Sequence, residues 1–262
     1  MLIDDVLIII NNFAPLFSLN YDIIMNKSIL LVGAMVSLCS GNALASQVSE
    51  PNISNVQSNI SENNEFNIVE VNCPSAGSLS SILSAMDLTE YNGVKVVGYI
   101  DENDISNLVG NFSFEYIDLG VARIGFTYFD SWFSNNKIIK SITLPEGITT
   151  LESNAFYNCR SLKLITFGEQ LTEIRSGCFD NCSSLEEVIL PESIKSLSYN
   201  TFSNCSSLKS LTFGSHLTEI GSYCFYGCSS LEEVILTENI KSLSSNAFTS
   251  CNSLRSIIFG SQ

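Results

Sequence analysis

Two nearly identical stretches decide the fold: CSSLEEVILPESIKSL at Cys182–Leu197 and CSSLEEVILTENIKSL at Cys228–Leu243, which differ at two positions. They begin 46 residues apart, but single residue types recur at half that interval. The residues spaced by 23 are Phe156, Phe179, Phe202, Phe225 and Phe248, and Cys159, Cys182, Cys205, Cys228 and Cys251. The basic repeat unit is therefore 23 residues long, and the 46-residue repeat is a pair of units copied together.

Each unit contains a short apolar phrase with alternating hydrophobic positions, which predicts a strand with one buried face. The phrase occurs at Leu162/Ile165/Phe167, Leu185/Val188/Leu190, Leu208/Leu211/Phe213, Leu231/Val234/Leu236 and Leu254/Ile257/Phe259, and more weakly at Ile139/Ile142/Leu144, Phe114/Ile117/Leu119 and Tyr91/Val94/Val96. One coil of this kind cannot cover its own apolar face, whereas stacked coils form a continuous core. We therefore predict a mostly β repeat solenoid of about eight coils, with short irregular segments between the strands.

The regular repeats occupy residues 139–262, and residues 73–138 are predicted to form an N-terminal cap and degenerate repeats. Within the latter, residues 77–86 place apolar side chains at helical spacing. An amphipathic helix there would cap the first coil, because an uncovered terminal coil exposes apolar side chains and a strand edge.

The repeat phrase resembles the BspA-type leucine-rich repeat family. The resemblance is carried by Asn154–Cys159, Ser161–Leu162, Leu144–Ile148 and Leu190–Pro191, and it extends over about residues 77–262. It implies a leucine-rich repeat fold, and a secreted or cell-surface protein that binds other proteins, with host or extracellular matrix proteins as partners in adhesion.

The N-terminal region carries a secretory signal pattern at residues 25–45: Lys27, then an apolar stretch, then Ala43-Leu44-Ala45. The apolar stretch is too short for a comfortable membrane span. No stable membrane span is expected in the mature chain that remains after the signal is removed. We interpret residues 1–24 as an upstream extension of the reading frame, the alternative being a genuine extended signal or anchor. Residues 46–72, which begin rich in Ser, Asn and Gln, are predicted to be a flexible linker.

Residues between the buried positions of each strand should point outward and line the strand face. The candidate contact residues are Leu164, Thr166, Glu187, Ile189, Ser210, Thr212, Glu233, Ile235, Ser256 and Ile258. Exposed isoleucines beside glutamates are typical of a contact patch. The alternative is that β-branched residues are there because they favour strands.

A neighbouring column runs Lys140, Lys163, Glu186, Lys209, Glu232 and Arg255, so that from Lys163 the charge alternates from coil to coil. Glu173, Lys195, Glu219 and Lys241 alternate similarly on another side. Attraction between adjacent coils would explain why two unit types alternate, and recent duplication of a two-unit block would explain it equally.

Several functional classes are disfavoured. A net charge of −15 would repel phosphate backbones, so nucleic acid is not an expected partner. The single histidine, His216, occupies a turn position, so the many serines lack a base and no enzyme is expected. The five-cysteine ladder is interpreted as a column of buried thiols, with disulfides between coils as the alternative in an oxidising compartment. Neither a metal site nor a cofactor is expected.

The sequence therefore predicts a binding protein that acts through its stacked-strand face without chemistry. The alternative is a structural envelope or matrix component that self-associates end to end. That alternative arises because the chain stops at Gly260-Ser261-Gln262, directly after a strand, without a polar cap.

Overall fold

A computed structural model describes residues 66–260. The predicted signal sequence at residues 25–45, the extension at residues 1–24 and the linker up to residue 65 lie outside the described residues. The described residues begin with the last residues of the predicted linker and continue through the repeats to residue 260.

The described residues form sixteen strands, two α-helices and one 3-10 helix at Ser131–Phe133. The strands are β1 (Ile68–Cys73), β2 (Gly93–Ile100), β3 (Tyr116–Asp118), β4 (Ala122–Ile124), β5 (Tyr128–Phe129), β6 (Ser141–Thr143), β7 (Thr150–Leu151), β8 (Leu164–Thr166), β9 (Glu173–Ile174), β10 (Glu187–Ile189), β11 (Ser196–Leu197), β12 (Ser210–Thr212), β13 (Glu219–Ile220), β14 (Glu233–Thr237), β15 (Ser242–Leu243) and β16 (Ser256–Gly260). The helices are α1 (Leu79–Ser84) and α2 (Glu102–Asn111).

One side of the molecule, here called the strand face, carries one strand of each coil: β1, β2, β3, β6, β8, β10, β12, β14 and β16. Pairing is parallel and in the predicted register, with Val94 opposite Ile117, Ile117 opposite Ile142, and Ile142 opposite Ile165. The chain therefore winds into a parallel β-solenoid of about eight turns with little helix, which confirms the predicted fold class.

A second parallel sheet runs along another side, in the order β15-β13-β11-β9-β7-β5. Its strands are two residues long, as in Glu219–Ile220, which pairs with Ser196–Leu197 and with Ser242–Leu243. The repeat pattern predicts irregular segments at these positions. Two residues are too few to show an alternating pattern, so only the hydrogen bonds between coils reveal these strands.

The first strand begins earlier than predicted. Residues 68–72 were assigned to the linker, but they belong to β1, which pairs with β2. Val69, Val71 and Cys73 are buried and alternate with exposed residues, and Val69 lies opposite Val94, a longer step than the regular repeat. The linker prediction is therefore wrong for these residues, which alternate between exposed and buried positions as the other strands do. Helix α1 lies between β1 and β2 in the chain. The outermost described element of the sheet is therefore β1, and not the helix that was predicted to cap the first coil.

A buried carboxylate joins the two helices. Asp104 is almost fully buried and accepts hydrogen bonds from the backbone N–H groups of Gly77 at 2.7 Å and Leu79 at 3.1 Å. It also accepts one from the N–H of Asp101, whose side chain in turn accepts from the N–H of Asp104 at 3.0 Å. This capping box starts α2 and ties α1 to it, because both helices meet at one carboxylate.

Two side-chain columns fill the interior of the repeats. The phenylalanine stack consists of Phe129, Phe156, Phe179, Phe202, Phe225 and Phe248, with neighbouring ring centroids 5.1–5.6 Å apart and nearly parallel. The thiol column consists of Cys159, Cys182, Cys205, Cys228 and Cys251. Each thiol donates to a phenylalanine carbonyl of the preceding coil, as Cys205 does to Phe179 at 3.3 Å. The regular recurrence of both residue types thus reflects contacts made between coils.

Candidate binding surface on the strand face

All ten predicted contact residues lie on the strand face, on β8, β10, β12, β14 and β16. The apolar members are substantially exposed: Ile189 at 53%, Ile235 at 49%, Ile258 at 43% and Leu164 at 38%. Each stands next to buried residues on the same strand, because successive side chains point to opposite faces. The structure therefore presents these aliphatic side chains to solvent.

The three isoleucines occupy one outward column. Ile235 lies directly opposite Ile258, and Ile189 lies directly opposite Thr212, which separates it from Ile235 along the column. Strands in a sheet are about 4.8 Å apart, so these side chains follow one another at close spacing. Together they form an apolar stripe, defined here as Ile189, Thr212, Ile235 and Ile258.

Acidic side chains flank the apolar stripe. Glu187 and Glu233 lie two residues before Ile189 and Ile235 on the same strands, and therefore point to the same side of the sheet. Glu233 accepts a hydrogen bond from the Ser256 hydroxyl at 3.1 Å. The surface therefore combines an aliphatic stripe with fixed negative charge beside it.

Ion pairs connect some neighbouring coils beside these residues. Lys209 Nζ lies 3.0 Å from Glu186, and Arg255 lies 3.6 Å from Glu232. Two further junctions predicted from the alternating signs, Lys163 with Glu186 and Lys209 with Glu232, carry no ion pair within residues 66–260. The charges thus pair two by two rather than continuously, because each glutamate is within reach of the basic residue of the following coil only.

The second predicted alternation does not produce ion pairs in the described part of the chain. Glu173, Lys195, Glu219 and Lys241 are not joined to one another. Glu173 instead pairs with Arg175 at 3.1 Å, and Arg175 also reaches Glu152 at 2.6 Å. Arginine can contact two carboxylates at once through separate N–H groups, so Arg175 pairs both within its own coil and with the preceding coil.

The Lys209–Glu186 pair should contribute little to stability. Both side chains are at least half exposed, so water and salt screen their attraction. In a double-mutant cycle with Lys209→Ala and Glu186→Ala, we expect a coupling of about 0.2–1 kcal/mol in urea unfolding. The coupling should shrink in about 1 M salt, and a salt-independent value would contradict the screened surface pair.

The cysteines are poorly suited to chemistry. All eight described cysteines are free and buried. Burial raises the pKa of Cys224 to about 12 and that of Cys251 to about 11, with desolvation as the main cause. A buried thiol with a raised pKa is neither a good nucleophile nor a ready metal ligand, because both roles require the thiolate. Within residues 66–260, no three His, Cys, Asp or Glu side chains converge as a metal site.

The single histidine faces the backbone rather than a serine. His216 Nδ1 lies 3.1 Å from the carbonyl oxygen of Glu192. The hydroxyl of the neighbouring Ser215 donates to the Glu192 carboxylate at 2.6 Å, and this hydrogen bond lowers the pKa of Glu192. The Ser215 proton is therefore directed to a carboxylate in an exposed turn. Together, Ser215, His216 and Glu192 link two neighbouring coils.

The repeat geometry and the open strand face define a leucine-rich repeat solenoid. Residues 127–255 match the BspA type Leucine rich repeat region in six copies, which confirms the predicted resemblance to that family. No curated protein matches the chain. Within residues 66–260, no helix has the length and apolar character needed to cross a membrane.

Solved structures of other leucine-rich repeat proteins are similar to this chain. A leucine rich repeat protein from T. pallidum is 27% identical with a TM-score of 0.52, over 54% of this chain and 68% of that one. One from Bacteroides ovatus is 18% identical with a TM-score of 0.41, over 65% of this chain and 54% of that one. A leucine rich cell surface protein from Faecalibacterium prausnitzii is 15% identical with a TM-score of 0.26, over 74% of this chain and 79% of that one.

Proposed function

We propose that this protein is a secreted or cell-surface binding protein whose strand face contacts a protein partner. One observation carries the proposal: aliphatic side chains of the apolar stripe stand in register on the open face of a parallel sheet. Parallel sheets are usually covered on both faces, because their strands are rich in apolar residues. An uncovered parallel sheet with exposed isoleucines therefore fits a surface that a partner covers.

The partner class follows from the chemistry of the face. Burying Ile189, Ile235 and Ile258 would supply the apolar part of an interface, at about 1.5–3 kcal/mol for each fully buried side chain. Glu187 and Glu233 beside them favour a partner with basic groups around an apolar centre, because complementary charge steers encounter and fixes orientation. The secretory signal pattern at residues 25–45 supports export, so we propose an extracellular protein, such as a host or matrix protein, and no bond-breaking chemistry.

The test compares capture of extracellular-matrix and secreted proteins by the wild type and by a variant with Ile189→Lys, Ile235→Lys and Ile258→Lys. All three positions are solvent-exposed, so the variant should fold with an unchanged circular dichroism spectrum. We expect binding of the captured partner to weaken at least about a hundredfold, because three charges would have to be buried unpaired.

A matched control carries the same added charge elsewhere. Ser176→Lys, Ser196→Lys and Ser242→Lys lie on or beside the second sheet, at exposed positions. This control should bind as the wild type does. Equal binding by the strand-face variant would overturn the proposed surface, and self-capture as the sole product would instead support the structural role considered above.

A further inference from the structure

Three tyrosines come together at a corner of the solenoid, after the second-sheet strands. Tyr199, Tyr223 and Tyr226 border a shallow depression of about 320 Å³. Tyr199 is 52% exposed, and the other two are half-buried. The depression, here called the tyrosine depression, is also lined by Asp180, Asn200 and Asn204.

The rings form differently oriented walls. Tyr223 is central: Tyr199 meets it at 5.9 Å with the ring planes 78° apart, and Tyr226 meets it at 5.9 Å with the planes 69° apart. The Tyr223 hydroxyl accepts a hydrogen bond from Asn246 Nδ2 at 3.1 Å, which holds the ring in place. Aromatic rings are negative at their faces and positive at their edges, so three rings set at these angles give the depression an aromatic lining of mixed polarity.

The repeat itself does not require these tyrosines. Tyr223 has a φ of 57°, in the left-handed region, and the equivalent positions of earlier coils hold Asn154, Gly177 and Asn200 at similar φ. Those residue types tolerate this conformation, whereas a bulky aromatic residue there is strained. Shifted by one two-unit block, Tyr199, Tyr223 and Tyr226 align with Ser245, Gly177 and Asp180. Strain kept at one coil, where an ordinary repeat residue would relieve it, is a mark of a functional position.

The charge of the depression is negative. Asp180 is half-buried, and its carboxylate accepts a hydrogen bond from Asn204 Nδ2 at 3.2 Å. No Lys, Arg or His among residues 66–260 forms an ion pair with it, and none lines the depression. Tyr99, by contrast, has a cation from the same chain beside it, because the Arg123 guanidinium lies 5.4 Å from its ring centroid.

We propose that the tyrosine depression binds an alkylammonium group, with a quaternary ammonium preferred. Aromatic faces attract cations, and a quaternary ammonium loses little hydration when it enters an aromatic site. The Asp180 carboxylate adds a fixed negative charge, and the net charge of −15 raises the local concentration of cations. The site is independent of the strand face and could engage either a choline headgroup or a trimethylated lysine side chain, which share this chemistry.

The test titrates the full-length protein with choline and with 3,3-dimethylbutanol, an uncharged analogue of the same shape, by calorimetry or ligand-observed NMR. We expect saturable choline binding with a Kd of about 1 mM, and at least about tenfold weaker binding of the uncharged analogue. Affinity should fall as salt rises, because the attraction is electrostatic. No saturable binding of choline, or equal binding of both compounds, would overturn the proposal.

Two variants locate the site. Tyr223→Asn installs the residue found at the equivalent positions 154 and 200, so it should fold as well as the wild type and bind choline at least about tenfold more weakly. Asp180→Asn should weaken binding in the same direction. The matched control Tyr157→Ser removes a tyrosine outside the depression and should bind normally. Wild-type affinity in Tyr223→Asn would overturn the assignment.

Two further probes distinguish the sources of the ammonium group. Co-sedimentation with phosphatidylcholine vesicles that is lost in Tyr223→Asn would assign a lipid headgroup. Binding of a trimethyl-lysine peptide more tightly than choline, lost in the same variant, would assign a protein ligand. Because the strand-face lysine variant keeps the tyrosine depression intact, it should retain choline binding, so failure of one proposal does not imply failure of the other.

Discussion

Replacing Phe202 with alanine should lower the free energy of unfolding by about 3–5 kcal/mol. The Phe202 ring is fully buried between Phe179 at 5.1 Å and Phe225 at 5.6 Å, with ring planes within 3° of parallel. Its removal leaves a cavity within a column whose neighbours are fixed by the backbone ladders, so the site cannot collapse well. Such a loss is a large part of the roughly 5–15 kcal/mol by which domains are usually stable.

The consequence should extend beyond the single coil. In a solenoid each coil contacts its neighbours only, so a weakened central interface uncouples the two halves of the array. Urea unfolding followed by circular dichroism should therefore show a lower midpoint and a broader transition for Phe202→Ala. The control is Phe248→Ala, because Phe248 is half-buried and stacks on Phe225 at 5.2 Å near the end of the described residues. Equal losses in the free energy of unfolding for the two variants would show that the contribution of a stacked ring does not depend on how deeply it is buried.

The second large effect is alkaline destabilisation. Burial raises the pKa of seven thiols, namely Cys73, Cys178, Cys182, Cys205, Cys224, Cys228 and Cys251. Below the unfolded-state pKa of about 8.5, both states are protonated and stability is fully present. Above it, the unfolded chain ionises while the native thiols keep their protons. Each such thiol then lowers the free energy of unfolding by about 1.4 kcal/mol per pH unit, until the pH passes its folded pKa.

We therefore expect the array, kept reduced, to lose most of its stability between about pH 9 and 11. The measurement is urea unfolding at a series of pH values. Lysines and tyrosines also titrate at high pH, so the decisive comparison is with Cys178→Ala/Cys224→Ala. Other coils have Ala155 and Ala247 at these positions, and both alanines are buried, so the variant should fold. The free energy of unfolding of this variant should fall less steeply with pH, because about two fewer thiols ionise on unfolding. An unchanged pH dependence would contradict buried native thiols.

The interior could be predicted almost entirely from spacing. Phenylalanine and cysteine recur once in every repeat unit because each touches its own equivalent in the next coil, as Phe179 does Phe202. The same periodicity located the strands and placed Ile189, Ile235 and Ile258 on the outward side. The prediction did not include strand β1, because it directly follows the polar segment that begins at residue 46 and was read with it as one linker. The two-residue strands of the second sheet were too short to carry a pattern.

The surface interactions depended on geometry that no linear pattern contains. Alternating signs indicated attraction at every junction, but Glu186 pairs with Lys209 and not with Lys163, since an ion pair requires two side chains to meet within about 4 Å. The tyrosine depression is a stronger example. Asp180, Tyr199 and Tyr226 come from three different coils, and no spacing in the sequence indicates that they line one depression.

The amino-acid sequence by itself determined the solenoid, its period, its two interior columns and the face on which the isoleucines stand. These follow from local alternation and from a repeat that must bury each coil against identical neighbours, and both are written in residue spacing. Only the tertiary structure decided where the array of described strands begins, which charges pair, and which exposed aromatic side chains share one depression. Those features depend on distances between side chains of different coils, and residue spacing specifies which coils are adjacent but not how their side chains meet.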